Sequence, residues 1–195
     1  MLPSTHYIIA DNVYDNIKKV TGYNLNKRLF KWGNIKPDVD FKLLSKSHYK
    51  DESFDFVIEN IFKLLKSDFD FNNKYNENKL SVDLGIISHF LTDFFCIPHS
   101  QGWHFNTDMK KHLKYEINLH KKAKKYNYSA RIIAPNLGVI TKSNIKKLIE
   151  ELHFDYRKIE DYKNDLKSSI DVASIISIMS LNYIMEEKRE IRITA

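Results

Sequence analysis

The chain has 195 residues, 43% of them hydrophobic and 29% charged, with a formal net charge of +6. That length suits one domain with a substantial core, and the composition is ordinary for a soluble globular protein. A single cysteine, Cys96, rules out a disulfide within the chain.

The five glycines and four prolines are few, and β-branched alternation is scarce, so the expectation is an all-α chain, residues 1–195 forming one compact multi-helix domain. Lysines are spread along the sequence, with only short runs such as Lys121–Lys125. A nucleic-acid partner needs a clustered basic patch and is not favoured. No basic region followed by an apolar run opens the chain, and Ile170 to Met185 is broken by Asp171, several serines and Asn182. No signal peptide or transmembrane segment is expected, which points to a soluble cytoplasmic protein.

In chain order, Ser4 or Thr5 caps a first helix to about Val20, with Ile9, Val13 and Ile17 inward and His6 in its first turn. Gly22 ends it, and a shorter segment reaches Phe30. WGNIKPDVD then reads as a loop, punctuated by Gly33 and Pro37, with Pro37 biasing Lys36 away from helix. Asp51 or Ser53 starts an amphipathic helix through Leu65. Residues 67–78 are polar and Asn-rich, a connecting loop, followed by a helix from about Lys79 to Cys96. Pro98 ends that helix, residues 98–105 form a loop with His99, and the next helix spans roughly Thr107 to Lys125. Tyr126 to Thr141 reads as irregular. Ser143 caps a helix to about Leu152, and a last helix covers roughly Asp161 to Arg189.

The chemistry is concentrated in LGIISHFLTDFFCIPHSQGWHFNTDMKKHLKYE, residues 84–116. His89 and Asp93 are four apart, as are His112 and Glu116, and His99 lies between the pairs. Residues four apart share one helix face and can close on one ion. Imidazole plus carboxylate suits zinc and similar divalent metals. Around the first pair the helix is apolar nearly all round, with Ile86, Ile87, Phe90, Leu91, Phe94 and Phe95, so it is expected to be buried. An unpartnered imidazole and carboxylate there would cost roughly 2–7 kcal/mol or more. Gly85, one turn before His89, removes a side chain where something must come close. A single His and Asp four apart is more often a plain hydrogen-bonded pair; two such pairs and an intervening His favour metal.

The order of His6, Asp38, His48, His89, Asp93, His99, His112 and Glu116, carried by THYIIADNVYDNI, PDVD, SHYK, LGIISHFLTDFFCIPH and HLKYE, resembles the zinc-dependent phospholipase C family. The resemblance implies an all-α fold of the phospholipase C and P1 nuclease type, with two or three zinc ions. It implies that Asp38, His48, His89 and Asp93 hold one ion, and His99, His112 and Glu116 a second. His6 and a bridging Asp93 would hold a third, with the chain's own N-terminal amine and carbonyl. In the family that amine belongs to a tryptophan; here Met1 stands five residues before His6.

A site of two or three zinc ions and three carboxylates is electropositive and suits a phosphate ester, a phospholipid among them. A bound divalent ion draws the pKa of water towards ~7 and neutralises phosphate oxygens. The resemblance gives Asp38 the further role of proton acceptor for the attacking water, with Asp40 a competing ligand two positions on. His104, His120 and His153 fall outside the pattern, although His120 shares a helix face with Glu116 and could support it. Three other readings compete: a single-strand nuclease with the same cluster, a phosphomonoesterase, and a non-catalytic protein stapled by metal. Glu116 and the 13-residue step from His99 to His112 favour the phospholipase branch over the nuclease.

Overall fold

The computed structural model describes residues 1–70, 73–130, 132, 133, 135 and 140–194, without the side chains of 105, 106 and 187–194. Among the described residues there are nine helices and no strand: α1 (Pro3–Thr21), α2 (Lys27–Gly33), α3 (Lys36–Val39), α4 (Lys50–Leu65), α5 (Lys74–Phe94), α6 (Ile97–Ser100), α7 (Phe105–Ala123), α8 (Lys142–Tyr156) and α9 (Tyr162–Thr194). The all-α expectation holds.

Several boundaries differ from the sequence reading, for local reasons. α1 opens with Pro3, where a missing N–H costs nothing, so Ser4 and Thr5 lie inside its first turn instead of capping it. Gly22, at φ 71°, closes it as expected through its N–H to the Lys18 carbonyl. α3 and α6 fall where loops were expected. Pro37 and Pro98 each sit in a first turn, where proline is tolerated rather than disruptive. α5 starts at Lys74, five residues earlier than expected, because the Asn73 side chain accepts the Tyr75 N–H. α8 is capped by Thr141 and Asn144, each side chain taking the other's backbone N–H, and not by Ser143. In the stretch expected to be irregular, residues 131, 134 and 136–139 lie outside the described residues, and the others there are non-helical up to Thr141.

α5 is the central element, packed against α2, α4 and α9, while α9 also covers α1. Leu80, Leu84, Phe90, Leu91 and Phe94 of α5 are fully enclosed. Burying each such side chain contributes about 1.5–3 kcal/mol. By length and composition Tyr162–Glu186 of α9 could cross a bilayer, contrary to the expectation that it is too polar, yet 67% of its most apolar stretch is buried within the fold. Its serines explain the polarity. Ser169 Oγ donates to the carbonyls of Thr92 and Phe95 at 3.0 and 3.1 Å, and Ser174 Oγ accepts from Asn16 at 3.0 Å.

α2 crosses α5 at two glycines. A Cβ on Gly85 would lie 2.3 Å from the Phe30 carbonyl oxygen and 2.8 Å from Gly33 Cα, so only glycine admits the crossing. The close approach at Gly85 is thus made by the α2 backbone and not by an ion. It carries the Asn34 carbonyl to His89.

Candidate metal centre

Five other parts of the chain converge on the C-terminal half of α5. α5 supplies His89 and Asp93, one turn apart and fully buried; α1 supplies His6 and, just before it, the Met1 amine. Asp38 comes from α3, His48 from the segment before α4, His99 from α6, and His112 and Glu116 from α7. All eight expected residues are brought together. Their donor atoms fall into three groups, each within 4.8 Å: His6, His89 and Asp93; Asp38, His48 and His89; His99, His112 and Glu116.

Asp93 sits at the middle. Its Oδ1 accepts from the Met1 amine at 2.5 Å and faces His6 Nε2 at 3.2 Å and His99 Nε2 at 3.7 Å. Its Oδ2 faces His48 Nδ1 at 2.7 Å and His89 Nε2 at 3.4 Å. The Met1 amine also lies 2.9 Å from His99 Nε2 and 3.2 Å from Glu116 Oε1. Asp38 Oδ1 stands 3.9 Å from His48 Nδ1 and 3.8 Å from His89 Nε2, beyond hydrogen-bond reach.

The ring tautomers follow from the outer partners. His89 Nδ1 donates to the Asn34 carbonyl at 2.8 Å, and His112 Nδ1 to the Trp103 carbonyl at 2.8 Å. Thr92 Oγ1 donates to the His89 carbonyl at 2.8 Å and therefore accepts from His6 Nδ1 at 3.0 Å. Each ring is thereby fixed with Nε2 turned to the carboxylates. His6 Nε2 and Asp38 Oδ2 are buried without a hydrogen-bond partner. An imidazole lone pair 3.2 Å from a carboxylate oxygen is repulsive unless a cation lies between them. The donor set therefore fits divalent zinc.

Burial and mutual charge tune the groups. Burial holds the His89 imidazolium well below its ordinary range. Burial and the Met1 amine lower His99 to about 4. Burial opposes ionisation of Asp93 and Glu116, but the Met1 amine and the facing imidazoles outweigh it and hold both carboxyls low. Burial likewise disfavours the charged Met1 amine, yet Asp93 and Glu116 raise it to about 12. Asp38 is the exception among the acids: burial pushes it up.

Residues outside the cluster separate cleanly. Asp40 pairs with Lys36 at 3.5 Å and holds the turn after α3, so Asp38 is the one that faces the cluster. His120 contacts Ser4 and Thr5 of α1 at 3.3 and 3.2 Å, not Glu116. His153 is buried and donates to the Phe94 carbonyl at 3.1 Å; the His104 ring lies tilted against Tyr49.

One supporting residue was not anticipated. Asp165 of α9, fully buried, accepts from the Ile97 N–H at 3.1 Å, the Tyr115 hydroxyl at 2.9 Å and the Tyr156 hydroxyl at 2.8 Å. It thus ties the start of α6, which carries His99, to the residue beside Glu116 on α7. In the sequence it is one acid among many at a helix start, and only its later neighbours reveal it.

The cluster opens into a cavity of about 410 Å³, walled by Met1, Asp38, Leu44, Lys46, Tyr49 and the second histidine group. The family model for zinc dependent phospholipase C matches residues 5–163. The chain belongs to that family. The match takes in all eight expected ligands and stops just inside α9. No curated protein and no solved structure matches the chain. The family is zinc-dependent, and the three His and carboxylate groups are compatible with zinc.

Proposed function

We propose that the protein hydrolyses phosphate esters with zinc, in the manner of a phospholipase C, and that a phospholipid is among its substrates. The observation that carries this reading is the convergence of three donor groups about Asp93, with the His6 nitrogen left unsatisfied beside it. The residues that would hold the ions are Asp38, His48, His89 and Asp93 for one, His99, His112 and Glu116 for another, and His6 and Asp93 for a third, which the Met1 amine would join only on giving up its proton. Zinc bound there would supply positive charge for the phosphate and acidity for the attacking water.

The chain's own groups do the rest. Lys46 on the cavity wall draws the phosphate in. Asp38, whose carboxyl burial makes more basic, faces the same cavity and takes the proton of the attacking water. Attack at phosphorus breaks the bond to the leaving alkoxide, which departs as the alcohol on taking a proton from solvent, while Asp38 returns its own to solvent. Leu44 and Tyr49 border the approach. The group of His99, His112 and Glu116 has three protein ligands and faces the cavity, as a catalytic and not a closed structural site does.

A panel of phosphorylcholine esters, phosphomonoesters and single-stranded DNA tests the reading, with and without a chelator. Chelator-sensitive cleavage of the phosphorylcholine esters, outpacing the other two, is expected. Preferential cleavage of DNA assigns the site to a nuclease instead.

A further inference from the structure

The turn between α3 and α4 holds an aromatic side chain out of the protein. The Asp40 carbonyl accepts the N–H groups of Leu43 and Leu44, both at 2.9 Å, and Asp40 Oδ1 accepts that of Lys42 at 2.9 Å. The turn is tied down, and at its tip Phe41 is 92% exposed. Val39 and Leu44 beside it are also exposed, and Leu44 and Lys46 of the same turn wall the cavity. An apolar point flanked by Lys42 and Lys46 therefore stands at the mouth of the site.

α7 repeats the pattern on its outer side. Its inward face delivers His112 and Glu116. One step further round the helix, Met109, Leu113 and Ile117 recur at four-residue spacing, and all three are exposed. Lys110, Lys114 and Lys121 border that stripe on its far side, and the two acids of α7, Asp108 at its kink and Glu116 of the cluster, lie away from it. An apolar stripe edged with lysine is the pattern of a helix that lies in a lipid interface. A protein partner fits it less well, because lysine is depleted from the cores of protein interfaces.

We infer that the tip of the 39–47 turn and the Met109–Leu113–Ile117 stripe of α7 form a docking surface for an anionic phospholipid bilayer. The apolar side chains enter the headgroup layer, and the lysines meet lipid phosphates. Docked in this way, the cavity mouth beside Leu44 would face the membrane. The orientation of the mouth rests on the function proposed above, whereas the docking itself is a property of the surface and is measured separately.

The metal-loaded protein is sedimented with vesicles of phosphatidylcholine mixed with phosphatidylserine, and with vesicles of phosphatidylcholine alone. Turnover of a water-soluble p-nitrophenyl phosphate ester is followed in parallel. The wild type should bind the mixed vesicles more strongly and lose binding as salt rises. A Phe41→Ser, Leu113→Ser double variant should bind about tenfold more weakly. Its turnover of the soluble ester should stay within about twofold of wild type, since neither side chain lines the cavity. Lys42→Glu with Lys114→Glu should abolish the preference for mixed vesicles. Equal binding by wild type and the serine variant would overturn the inference. So would a wild type that ignores both vesicles, or one that self-associates through Phe41 instead. A protein that docks but leaves the soluble ester intact counts against the hydrolase reading alone.

Discussion

Gly33 and Gly85 meet backbone to backbone where α2 crosses α5, and a Cβ on Gly85 would sit 2.8 Å from Gly33 Cα. That contact sets the height of α2 over α5, and so places the Asn34 carbonyl 2.8 Å from His89 Nδ1. A packing feature and a ligand tautomer are thus one arrangement.

Gly85→Ala should therefore damage both. The obstructing atoms are backbone and cannot swing away, so overpacking of about 1–3 kcal/mol is expected. Urea denaturation reads the stability, and chelator competition reads the metal. Both should fall. A variant with wild-type stability and affinity would show that α2 has room to move.

Asp93→Asn is expected to release zinc from two of the three groups, because the carboxylate faces the Met1 amine, His6 and His99 through one oxygen and His48 and His89 through the other. His120→Ala should keep its full metal content, since among the described residues His120 hydrogen-bonds Ser4 and Thr5 and no residue of the cluster. Equal metal loss in the two variants would contradict the central place given to Asp93.

Asp165→Asn tests the support beneath the second group. An amide oxygen cannot satisfy all three donors, and a misplaced NH2 would face hydroxyls, so roughly 1–3 kcal/mol of stability should be lost. If Asp165 positions α6 and α7, one ion should also bind about 10–100-fold more weakly while the others are unaffected. Uniform weakening of every ion would indicate general loosening of the fold instead.

Two buried groups outside the cluster should tilt acid stability in opposite directions. Burial lowers His153 from 6.5 to about 4, so between those values the unfolded chain takes up a proton that the folded one refuses. Stability is lost there as pH falls, by at most about 3–4 kcal/mol. Burial raises Asp165 from 3.8 to about 6, so the folded chain keeps a proton that the unfolded one has released. Its contribution is present below pH 3.8 and is lost as pH rises through 6. Relative to wild type, His153→Gln should therefore flatten the loss of stability between pH 6.5 and 4, and Asp165→Asn should steepen it. Denaturation curves across that range check both signs.

The legible part of this molecule was the part written in short periods. His89 with Asp93, and His112 with Glu116, announce themselves because four residues return to one helix face. His6, Asp38 and His48 lie far apart in the chain, and only the family pattern joined them to the others. Pro37 and Pro98 read as breakers in the sequence because proline ends a helix more often than it sits in a first turn, so the sequence hides α3 and α6. The carbonyls of Asn34 and Trp103 were out of reach altogether, since every residue has a carbonyl and none is marked as a partner. Gly85 signalled a close approach, but nothing local said that Gly33 was what approached.

Elemental analysis of the purified chain tests the account most directly. Two or three zinc ions per chain are predicted, removable by chelator with parallel loss of phosphate-ester hydrolysis. A chain that retains full hydrolysis with no zinc, or that binds none at any concentration short of precipitation, would contradict it.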